Sequence, residues 1–506
     1  MLNFSKAILC AVVLAKYAAA APAGVSSSVA SSATAPVSIA PSSAFASASS
    51  AVSSAFASPS SSSADNVLRH TSSTAPSTTS SAAPEWETVA PASDDPNGIL
   101  WTEGSTSDPE GIRGSLGATV IGPQNVPIAL QNPDLLAPPT TDSGSVQNAK
   151  WPFALSHNRL QTGGWARQQN VDVMPIAKSM AGVNMRLEPG AIRELHWHKT
   201  AEWSYVIKGS VQVTAINSDG QNYLGTAVRT YPALPAQEVR SQSPEHIKSA
   251  GDLWYFPPGI PHSLQATDDD PDGTEFLLVF DDGAFSEDAT FLLTDWLAHV
   301  PKEVLAKNFK VNISAFDHIP SQQLYIFPSA APPDNAKPVD DPQGQVPSPF
   351  IFHLSQVNAT QLDGGSVKVV DSTTFTVSTA IAVAEVTVEP GAMRELHWHP
   401  TQDEWAYYLE GEGRVTLFAA ESNARTFNYQ AGDVGFVPAS FGHYVENIGN
   451  TTLKFLEIFN TDRYQDISLQ QWLALTPPDL VKAHLGLDDE TIAHLSKTKY
   501  TVVGAA

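Results

Sequence analysis

Two nearly identical stretches decide the fold of this 506-residue chain: Leu187-Glu-Pro-Gly-Ala-Ile-Arg-Glu-Leu-His-Trp-His198 and Val388-Glu-Pro-Gly-Ala-Met-Arg-Glu-Leu-His-Trp-His399. The similarity continues downstream, where Gly251-Asp-Leu-Trp-Tyr-Phe-Pro257 corresponds to Gly432-Asp-Val-Gly-Phe-Val-Pro438. Two copies at this separation indicate a duplicated domain, because a solenoid would repeat a much shorter unit many times.

The sequence around the repeats predicts strands. Short runs that mix β-branched and aromatic residues occur at Ser204–Ile207, Val211–Ile216, Glu275–Phe280, Ala382–Val388 and Arg414–Phe418. Gly, Pro and Asp separate such runs at short intervals, which is typical of a β-sandwich or barrel. We therefore expect an all-β fold with one barrel per copy. Residues 301–308 and 478–485 are predicted to form helices outside the barrels.

Six of the 14 histidines fall at equivalent positions of the two copies. In the first copy His196 and His198 are two positions apart on one predicted strand, so both side chains point to the same face. Glu202 follows closely, and His262 comes from a later strand. The second copy repeats this set with His397, His399, Glu404 and His443.

This repeated set predicts two metal sites. A single histidine on a strand is usually an ordinary surface or core residue, but here the same four residues occur twice in the same order. Three imidazoles and one carboxylate suit Mn, Fe, Ni or Zn. Four protein ligands on an octahedral ion would leave two positions open for a substrate.

Charge and cysteine content exclude several classes of function. The chain has 28 Lys+Arg and 52 Asp+Glu, a net charge of −24, whereas proteins that bind nucleic acids or anionic membranes need a basic surface. The single cysteine, Cys10, lies in a segment that is expected to be removed. Disulfides, thiolate metal sites and cysteine nucleophiles are therefore not expected.

Residues 1–20 have the features of a signal peptide, with a charged Lys6, an apolar run at Ala7–Ala15 and small residues at Ala18–Ala20. The apolar run is shorter than the ~20 residues of a membrane span. We expect the mature chain to be extracellular, either free or associated with the cell wall. Glycosylation triplets, which are compatible with secretion, begin at Asn312, Asn358 and Asn450.

Composition also predicts the domain organisation. Residues 21–90 consist almost entirely of Ser, Ala, Thr, Pro and Val, which cannot bury enough apolar surface to fold, so they are predicted to form a disordered linker. Residues 91–320 are predicted to contain an N-terminal arm and the first β-domain. Residues 321–506 are predicted to contain the second β-domain and the C-terminal helices.

The spacing of the ligand residues resembles the two motifs of the cupin superfamily. The matching positions of the first copy are Gly190, His196, His198, Glu202, Gly209, Gly251, Pro257, Gly259 and His262. The matching positions of the second copy are Gly391, His397, His399, Glu404, Gly411, Gly432, Pro438, His443 and Asn447. The copies depart from the motif at Ala266 and Ser440, neither of which is a predicted ligand. The hexapeptide Arg-Glu-Leu-His-Trp-His and residues 278–287 and 294–299 resemble the bicupin oxalate decarboxylases of the secreted fungal type.

That resemblance covers about residues 111–503 and implies a specific chemistry. It implies two tandem cupin barrels, of the double-stranded β-helix or jelly-roll type, with one Mn(II) in each. It further implies conversion of oxalate to formate and carbon dioxide with dioxygen as co-catalyst and no net oxidation. Related bicupins associate through their outer helices and arms, so a homo-oligomer is an expected state.

Two other functions stay open at this point. One is an oxalate oxidase, which produces hydrogen peroxide instead of formate. The other is a metal-free, storage-type bicupin, which intact ligands in both copies disfavour.

The two copies differ at two places near their sites. Leu278 of the first copy corresponds to Glu457 of the second, which places an extra carboxylate inside the second barrel. The first copy has three more residues between Phe280 and Trp296 than the second has between Phe459 and Trp472, since 16 − 13 = 3.

The extra residues belong to a loop that contains Ser286-Glu287-Asp288-Ala289. This tetrapeptide resembles the mobile lid of the family, whose glutamate is the proton donor, and the resemblance implies that role for Glu287. Without the resemblance, Glu287 would be read as a solvated loop acid. Asp288 and Ala289 replace the Asn-Ser common in the family, and we expect the added acid to raise the pKa of Glu287 by charge repulsion.

Arg193 and Arg394 lie three residues before the first ligand of their copies. In an ideal strand they would point to the opposite face, so a twist or bulge has to redirect them if they contact substrate, as the family implies.

The copies also differ in length between their ligands, because His196 and His262 are 66 positions apart but His397 and His443 only 46. The surplus lies around Gly225–Ala250, a polar run without a strand pattern. It is predicted to be either a surface loop or a retained intron.

Overall fold

The computed structural model describes residues 97–100, 109, 111–114, 116–118, 120–229 and 251–505. The predicted signal peptide and linker, residues 1–90, lie outside this part of the chain, as do residues 230–250 of the polar run. Over the described ranges, no helix has the length and apolar character that a membrane span requires.

An N-terminal arm precedes the barrels. Its elements are the strands β1 (Ile112–Arg113), β2 (Leu116–Gly117) and β3 (Lys150–Pro152) and the short helices α1 (Val126–Gln131) and α2 (Pro133–Leu136). Within the arm, Arg113 pairs with the buried Asp134 at 2.9 Å.

The first barrel consists of two sheets that face each other. Its strands are β4 (Arg159–Gln161), β5 (Gly164–Gln169), β6 (Ala181–Leu187), β7 (Ile192–Trp197), β8 (Glu202–Lys208), β9 (Ser210–Ile216), β10 (Asn222–Val228), β11 (Leu253–Phe256), β12 (His262–Ala266), β13 (Thr274–Phe280), β14 (Phe291–Leu292) and β15 (Ile326–Phe327). One sheet has the order β10-β9-β12-β7-β14, with β15 also paired to β7, and the other contains β11-β8-β13-β6-β5-β4. The helices α3 (Leu293–Ala298) and α4 (Lys302–Phe309) follow β14.

The second barrel repeats this topology. The strand β16 (Ile351–Phe352) precedes this barrel in the chain. The strands of the barrel are β17 (Thr360–Leu362), β18 (Gly365–Val370), β19 (Ala382–Val388), β20 (Met393–Trp398), β21 (Glu404–Glu410), β22 (Glu412–Ala419), β23 (Asn423–Gln430), β24 (Asp433–Val437), β25 (His443–Asn447), β26 (Leu453–Phe459), β27 (Ile467–Ser468) and β28 (Val502–Val503). The helices are α5 (Leu469–Ala474), α6 (Pro478–Leu485) and α7 (Asp489–His494). The predicted all-β fold with two tandem barrels is confirmed.

Each barrel receives one edge strand from the chain segment that precedes the other. β3 of the arm pairs with β24 of the second barrel, and β16 pairs with β11 of the first. β15 and β16 both lie beyond residue 320 and pair with the first barrel. The division into domains at residue 320 stays a prediction, but pairing to the first barrel extends past it.

Strands between the barrels are buried on both faces, which explains their continuous apolar sequence. In β13, Phe276, Leu278 and Phe280 pack inside the first barrel, whereas Leu277 and Val279 belong to the core that continues into the second barrel. Strands buried in this way lose the alternation of apolar and polar residues that a half-exposed strand shows.

The prediction that Gly225–Ala250 has no strand pattern is wrong at its start. Gly225–Val228 is the second half of β10 and pairs with β9 in unbroken antiparallel register. Neighbouring β9 supplies the hydrogen-bond partners of the backbone. This segment therefore forms a strand even though apolar and polar residues do not alternate strongly in it.

Candidate metal centres

The first predicted ligand set converges inside the first barrel. His196 lies on β7, His198 directly follows it, and Glu202 and His262 begin β8 and β12. One ligand atom from each of the four buried residues lies within 4.8 Å of the others. Glu202 Oε2 is 3.1 Å from His198 Nε2 and 3.4 Å from His262 Nε2.

The second predicted set converges in the same way. His397, His399, Glu404 and His443 are buried, with ligand atoms within 4.8 Å of one another. Glu404 Oε2 is 3.0 Å from His399 Nε2 and 3.1 Å from His443 Nε2. The prediction of one His₃Glu site per barrel is therefore confirmed.

Backbone carbonyl groups orient all six imidazoles. Each Nδ1 lies within hydrogen-bond distance of a backbone carbonyl oxygen. In the first barrel the pairs are His196 with Glu194, His198 with Thr200 and His262 with Ile260. In the second barrel they are His397 with Glu395, His399 with Gln465 and His443 with Phe441. A carbonyl accepts, so each Nδ1 carries the proton and each Nε2 offers its lone pair to the centre of the site. This arrangement is typical of metal-binding histidines.

The charge state of both sites fits a divalent cation. Burial holds the pKa of His196 and His397 well below the ordinary value, so these rings are neutral. Burial alone would raise the pKa of Glu202 and Glu404, but the facing histidines bring it well below the ordinary range, so the carboxylates are ionised. His262 Nε2 and His397 Nε2 are buried and have no hydrogen-bond partner among the described residues. A metal ion would satisfy these atoms.

A β-bulge directs both arginines into the barrels. His262 pairs with His196 and Leu264 with Arg193, so two steps along β12 face three along β7. The second barrel shows the same irregularity between Arg394 and His397. The extra residue reverses the ideal alternation, and Arg193 lines the cavity of the first site together with three of the four ligands. The predicted redirection of these arginines is confirmed.

Glu287 and Tyr325 complete the first site. Burial raises the pKa of Glu287. Its carboxylate accepts a short hydrogen bond from the Tyr325 hydroxyl, and its backbone N–H donates to Gln168 Oε1 at 2.9 Å. Arg193 makes one side-chain hydrogen bond within the described residues, from Nη1 to the Tyr325 carbonyl at 3.3 Å, and lies 4.0 Å from the ring centroid of Tyr325.

The second site encloses its arginine among carboxylates. Arg394 Nε donates to Glu457 at 2.9 Å, and Nη2 contacts Asp466 at 2.6 Å and the hydroxyl of Tyr464 at 3.0 Å. Burial alone would lower the pKa of Arg394, but Glu457, Tyr464 and Glu404 together outweigh burial and raise the pKa. Lys499 from the C-terminal segment forms a short ion pair with Asp466.

Sequence reasoning missed Tyr325, Asp466 and Lys499. Tyr325 has a φ of 55°, in the left-handed region that a tyrosine rarely adopts. Its strained backbone is held by Glu194, which accepts the N–H of Leu324 at 3.0 Å and of Tyr325 at 2.8 Å. Such strain at a non-glycine residue often marks a functional site, but it is visible only in the structure.

The fold and the two ligand sets define a bicupin. A model of the cupin family matches residues 155–315 and 353–493. Oxalate decarboxylase OxdC of Bacillus subtilis (strain 168) is 51% identical over 396 residues, which cover 78% of this chain and 97% of that protein. A probable oxalate decarboxylase of the fungus Arthroderma benhamiae is 40% identical over 394 residues, which cover 76% of this chain and 91% of that protein.

Solved structures agree with these relatives. Bacillus subtilis oxalate decarboxylase at pH 4.6 has a TM-score of 0.72 and 51% identity, covering 78% of this chain and 98% of that one. Another structure of that enzyme, from a study of its Mn(II) centres, has a TM-score of 0.72 and 50% identity, covering 79% and 100%. The chain belongs to the oxalate decarboxylase family of bicupins, and the predicted family and carboxy-lyase class are confirmed.

Proposed function

We propose that this chain is a Mn(II)-dependent oxalate decarboxylase that converts oxalate and a proton to formate and carbon dioxide in its first barrel. One observation carries the proposal: Arg193 and Glu287 line the same cavity as three ligands of the first site, namely His196, His198 and Glu202. The relatives named oxalate decarboxylase support the choice of substrate.

Arg193 is the proposed oxalate-binding residue. Its guanidinium group is buried and has no carboxylate partner among the described residues, and burial lowers its pKa. A dianionic substrate would supply the missing negative charge, with charge-assisted hydrogen bonds that are strong in a buried site. Arg394 has such partners already in Glu457 and Asp466, which supports turnover in the first barrel.

Mn(II) would be held by His196, His198, Glu202 and His262 in the first barrel and by His397, His399, Glu404 and His443 in the second. When bound, it supplies a Lewis acid with open positions for oxalate and, with dioxygen as the proposed co-catalyst, the redox chemistry of the reaction.

Glu287 is the proposed proton donor. Breaking the carbon–carbon bond of oxalate releases carbon dioxide and leaves an electron pair on the remaining carbon, which has to receive a proton to become formate. Because burial raises the pKa of Glu287, its carboxyl group keeps the proton to higher pH than an ordinary glutamic acid does. Because the loop also covers the cavity, the proton comes from Glu287 and not from water.

Product analysis of the purified, Mn-loaded full chain tests this proposal. With oxalate, the wild type should form formate and carbon dioxide, whereas an oxidase would form hydrogen peroxide. Glu287→Ala should lower the rate of formate production by about 10²–10⁴-fold. Glu303→Ala, which changes an exposed acid on α4, is the matched control. Retained formate production in Glu287→Ala would contradict the role of Glu287. Failure of the purified chain to take up Mn would support a storage protein.

We also propose that the mature chain is extracellular and self-associates. The side chains of Asn312, Asn358 and Asn450 are exposed, as glycosylation requires. Apolar side chains on the outer helices, among them Trp296 and Leu480, are also exposed, as self-association through these helices would require. Mass spectrometry of the secreted protein tests the first proposal, and light scattering tests the second.

A further inference from the structure

The loop over the first site is anchored at both ends. On the N-terminal side, Phe285 stacks on Phe280 at 3.6 Å between centroids. On the C-terminal side, Phe291 stacks on Trp197 at 5.5 Å, and Leu292 is buried. The five residues between these anchors, Ser286–Thr290, form the lid segment.

The site is closed when the lid segment has this position. The cavity lined by Arg193, three of the ligands and Glu287 has a free volume of about 10 Å³. That is at the lower limit of the ~10–15 Å³ that one water molecule needs, and oxalate has six non-hydrogen atoms. The lid segment therefore has to move before oxalate can enter.

Three polar contacts hold the lid segment on the barrel within the described residues. Two of them involve Glu287, whose N–H donates to Gln168 and whose carboxylate accepts from Tyr325. The third joins Asp288 Oδ1 to Arg159 Nη1 on β4 at 2.9 Å.

Arg159 also supports the partner of Glu287. Its guanidinium carbon lies 3.6 Å from the ring centroid of Tyr325, and that of Arg193 lies 4.0 Å from the same centroid. Two guanidinium groups this close to one ring have to lie on its two faces. Asp288 therefore contacts Arg159, and Arg159 contacts Tyr325. Tyr325 in turn contacts both Glu287 and Arg193.

We infer that the Arg159–Asp288 ion pair is a latch: it holds the lid segment closed, breaks when oxalate enters, and forms again before Glu287 delivers its proton. This inference rests on the proposed function of Glu287. Asp288 does not contact the cavity, so it is a positioning residue that acts through Arg159. An asparagine at this position, as is common in the family, would lack the charge.

The Arg159–Asp288 ion pair should contribute only modestly to closure of the lid segment, because it is partly exposed to solvent. Asp288 has 78% of its side chain exposed and Arg159 19%, so the pair is screened by salt. An exposed ion pair changes an equilibrium constant by about two- to fivefold. Weakening the latch should raise the open fraction by that factor, which lowers KM because oxalate binds the open form. It should also raise the share of hydrogen peroxide, because proton delivery needs the closed form.

The test compares wild type, Asp288→Asn, Arg159→Gln and the double variant as Mn-loaded full chains. At low ionic strength we expect Asp288→Asn to lower KM and raise the peroxide share of the products, each about two- to fivefold. Wild type should approach these values as NaCl is raised to about 1 M, where the Debye length is about 3 Å, and Asp288→Asn should change little. Arg159→Gln should have a larger effect because it also removes the contact with Tyr325, and the double variant should equal Arg159→Gln.

Hydrogen–deuterium exchange gives a readout that does not depend on catalysis. Peptides that contain the lid segment should exchange about two- to fivefold faster in Asp288→Asn than in wild type. Asp489→Asn, which breaks the exposed Lys482–Asp489 pair of 2.7 Å, is the matched control and should leave KM, products and lid exchange unchanged. Unchanged KM and unchanged lid exchange in Asp288→Asn would overturn the latch. Formate production retained in Glu287→Ala would instead overturn the role of Glu287, whatever the exchange rates show.

Discussion

In the first barrel Arg193 lies against the ring of Tyr325 and has no carboxylate partner among the described residues, whereas in the second barrel Arg394 contacts both Glu457 and Asp466. The ligand types and the bulge are the same in both barrels. The imidazole contacts with the backbone differ at one position, because His198 faces the carbonyl of Thr200 and His399 faces that of Gln465. The comparison teaches that a metal site can be duplicated intact while the charged groups beside it differ. The second barrel already supplies, from its own chain, the carboxylates that oxalate would provide.

The largest difference between the barrels should appear when a metal ligand is changed. Glu202→Gln should lower kcat/KM by at least about a thousandfold, because the proposed reaction takes place in the first barrel. Glu404→Gln should lower it by no more than about tenfold, although both variants lose Mn. Steady-state kinetics combined with elemental analysis of Mn checks this. A greater loss of kcat/KM in Glu404→Gln would reverse the assignment of the active barrel.

Leu278 and Glu457 occupy equivalent positions, and giving the first barrel a glutamate there should weaken its binding of oxalate. Leu278→Glu places a carboxylate in the cavity with Arg193, as Glu457 stands beside Arg394. The internal ion pair should compete with oxalate and raise KM by about ten- to a hundredfold. Glu457→Leu, the converse exchange, should leave KM within about twofold. KM values from oxalate titrations decide the matter, and an unchanged KM in Leu278→Glu would show that Arg193 does not bind oxalate.

Substitution of Arg394 should lower the free energy of unfolding more than substitution of Arg193. Arg394→Gln leaves Glu457 buried without its ion-pair partner and removes one of the two cations beside Asp466, so it should lower the free energy of unfolding by about 3–5 kcal/mol. Arg193→Gln breaks no ion pair and should lower it by about 1 kcal/mol, while its kcat/KM falls sharply. Urea unfolding of the Mn-loaded chain measures the free energies. Equal losses of stability would contradict the different environments of the two residues.

The smallest effect concerns pH. Because burial raises the pKa of Glu287, its protonated form persists to higher pH than in an ordinary glutamic acid, and formate production should fall as pH rises through that pKa. Among the side chains that face Glu287, Tyr325, Arg159 and Arg193 lower its pKa and Asp288 raises it. Asp288→Asn should therefore move the descending limb of the pH–rate profile to lower pH, by less than about one unit. A profile identical to that of wild type would refute the contribution of Asp288.

Several features could be predicted from sequence because they rest on local spacing. His196 and His198 share a face by strand alternation, and the repeat of the whole set excluded coincidence. The need for a bulge at Arg193 followed from the same alternation. Glu457 was found by aligning the two copies, and its place beside Arg394 agrees with that alignment.

Other features could not be predicted because they depend on segments outside the repeats. Tyr325 contacts Arg193 from 132 positions away, and Thr501 contacts Arg394 from 107 positions away. The segments that carry these residues have little sequence similarity. Their equivalence appears only when Ile326 and Val502 are seen to pair with Arg193 and Arg394 in the same register.

The amino-acid sequence alone therefore specified the two barrels and the eight metal ligands, because strand alternation and an internal repeat are local properties that the chain carries in its residue order. Tertiary folding settled the further partners of each arginine, since these partners come from distant segments that lie outside the repeats. The first barrel receives Tyr325, which contacts Glu287 of the lid segment, and the second receives Lys499, which holds Asp466 beside Arg394. Charge balance in a buried site is set by the nearest partners in space, and in each barrel the deciding partner comes from far along the chain.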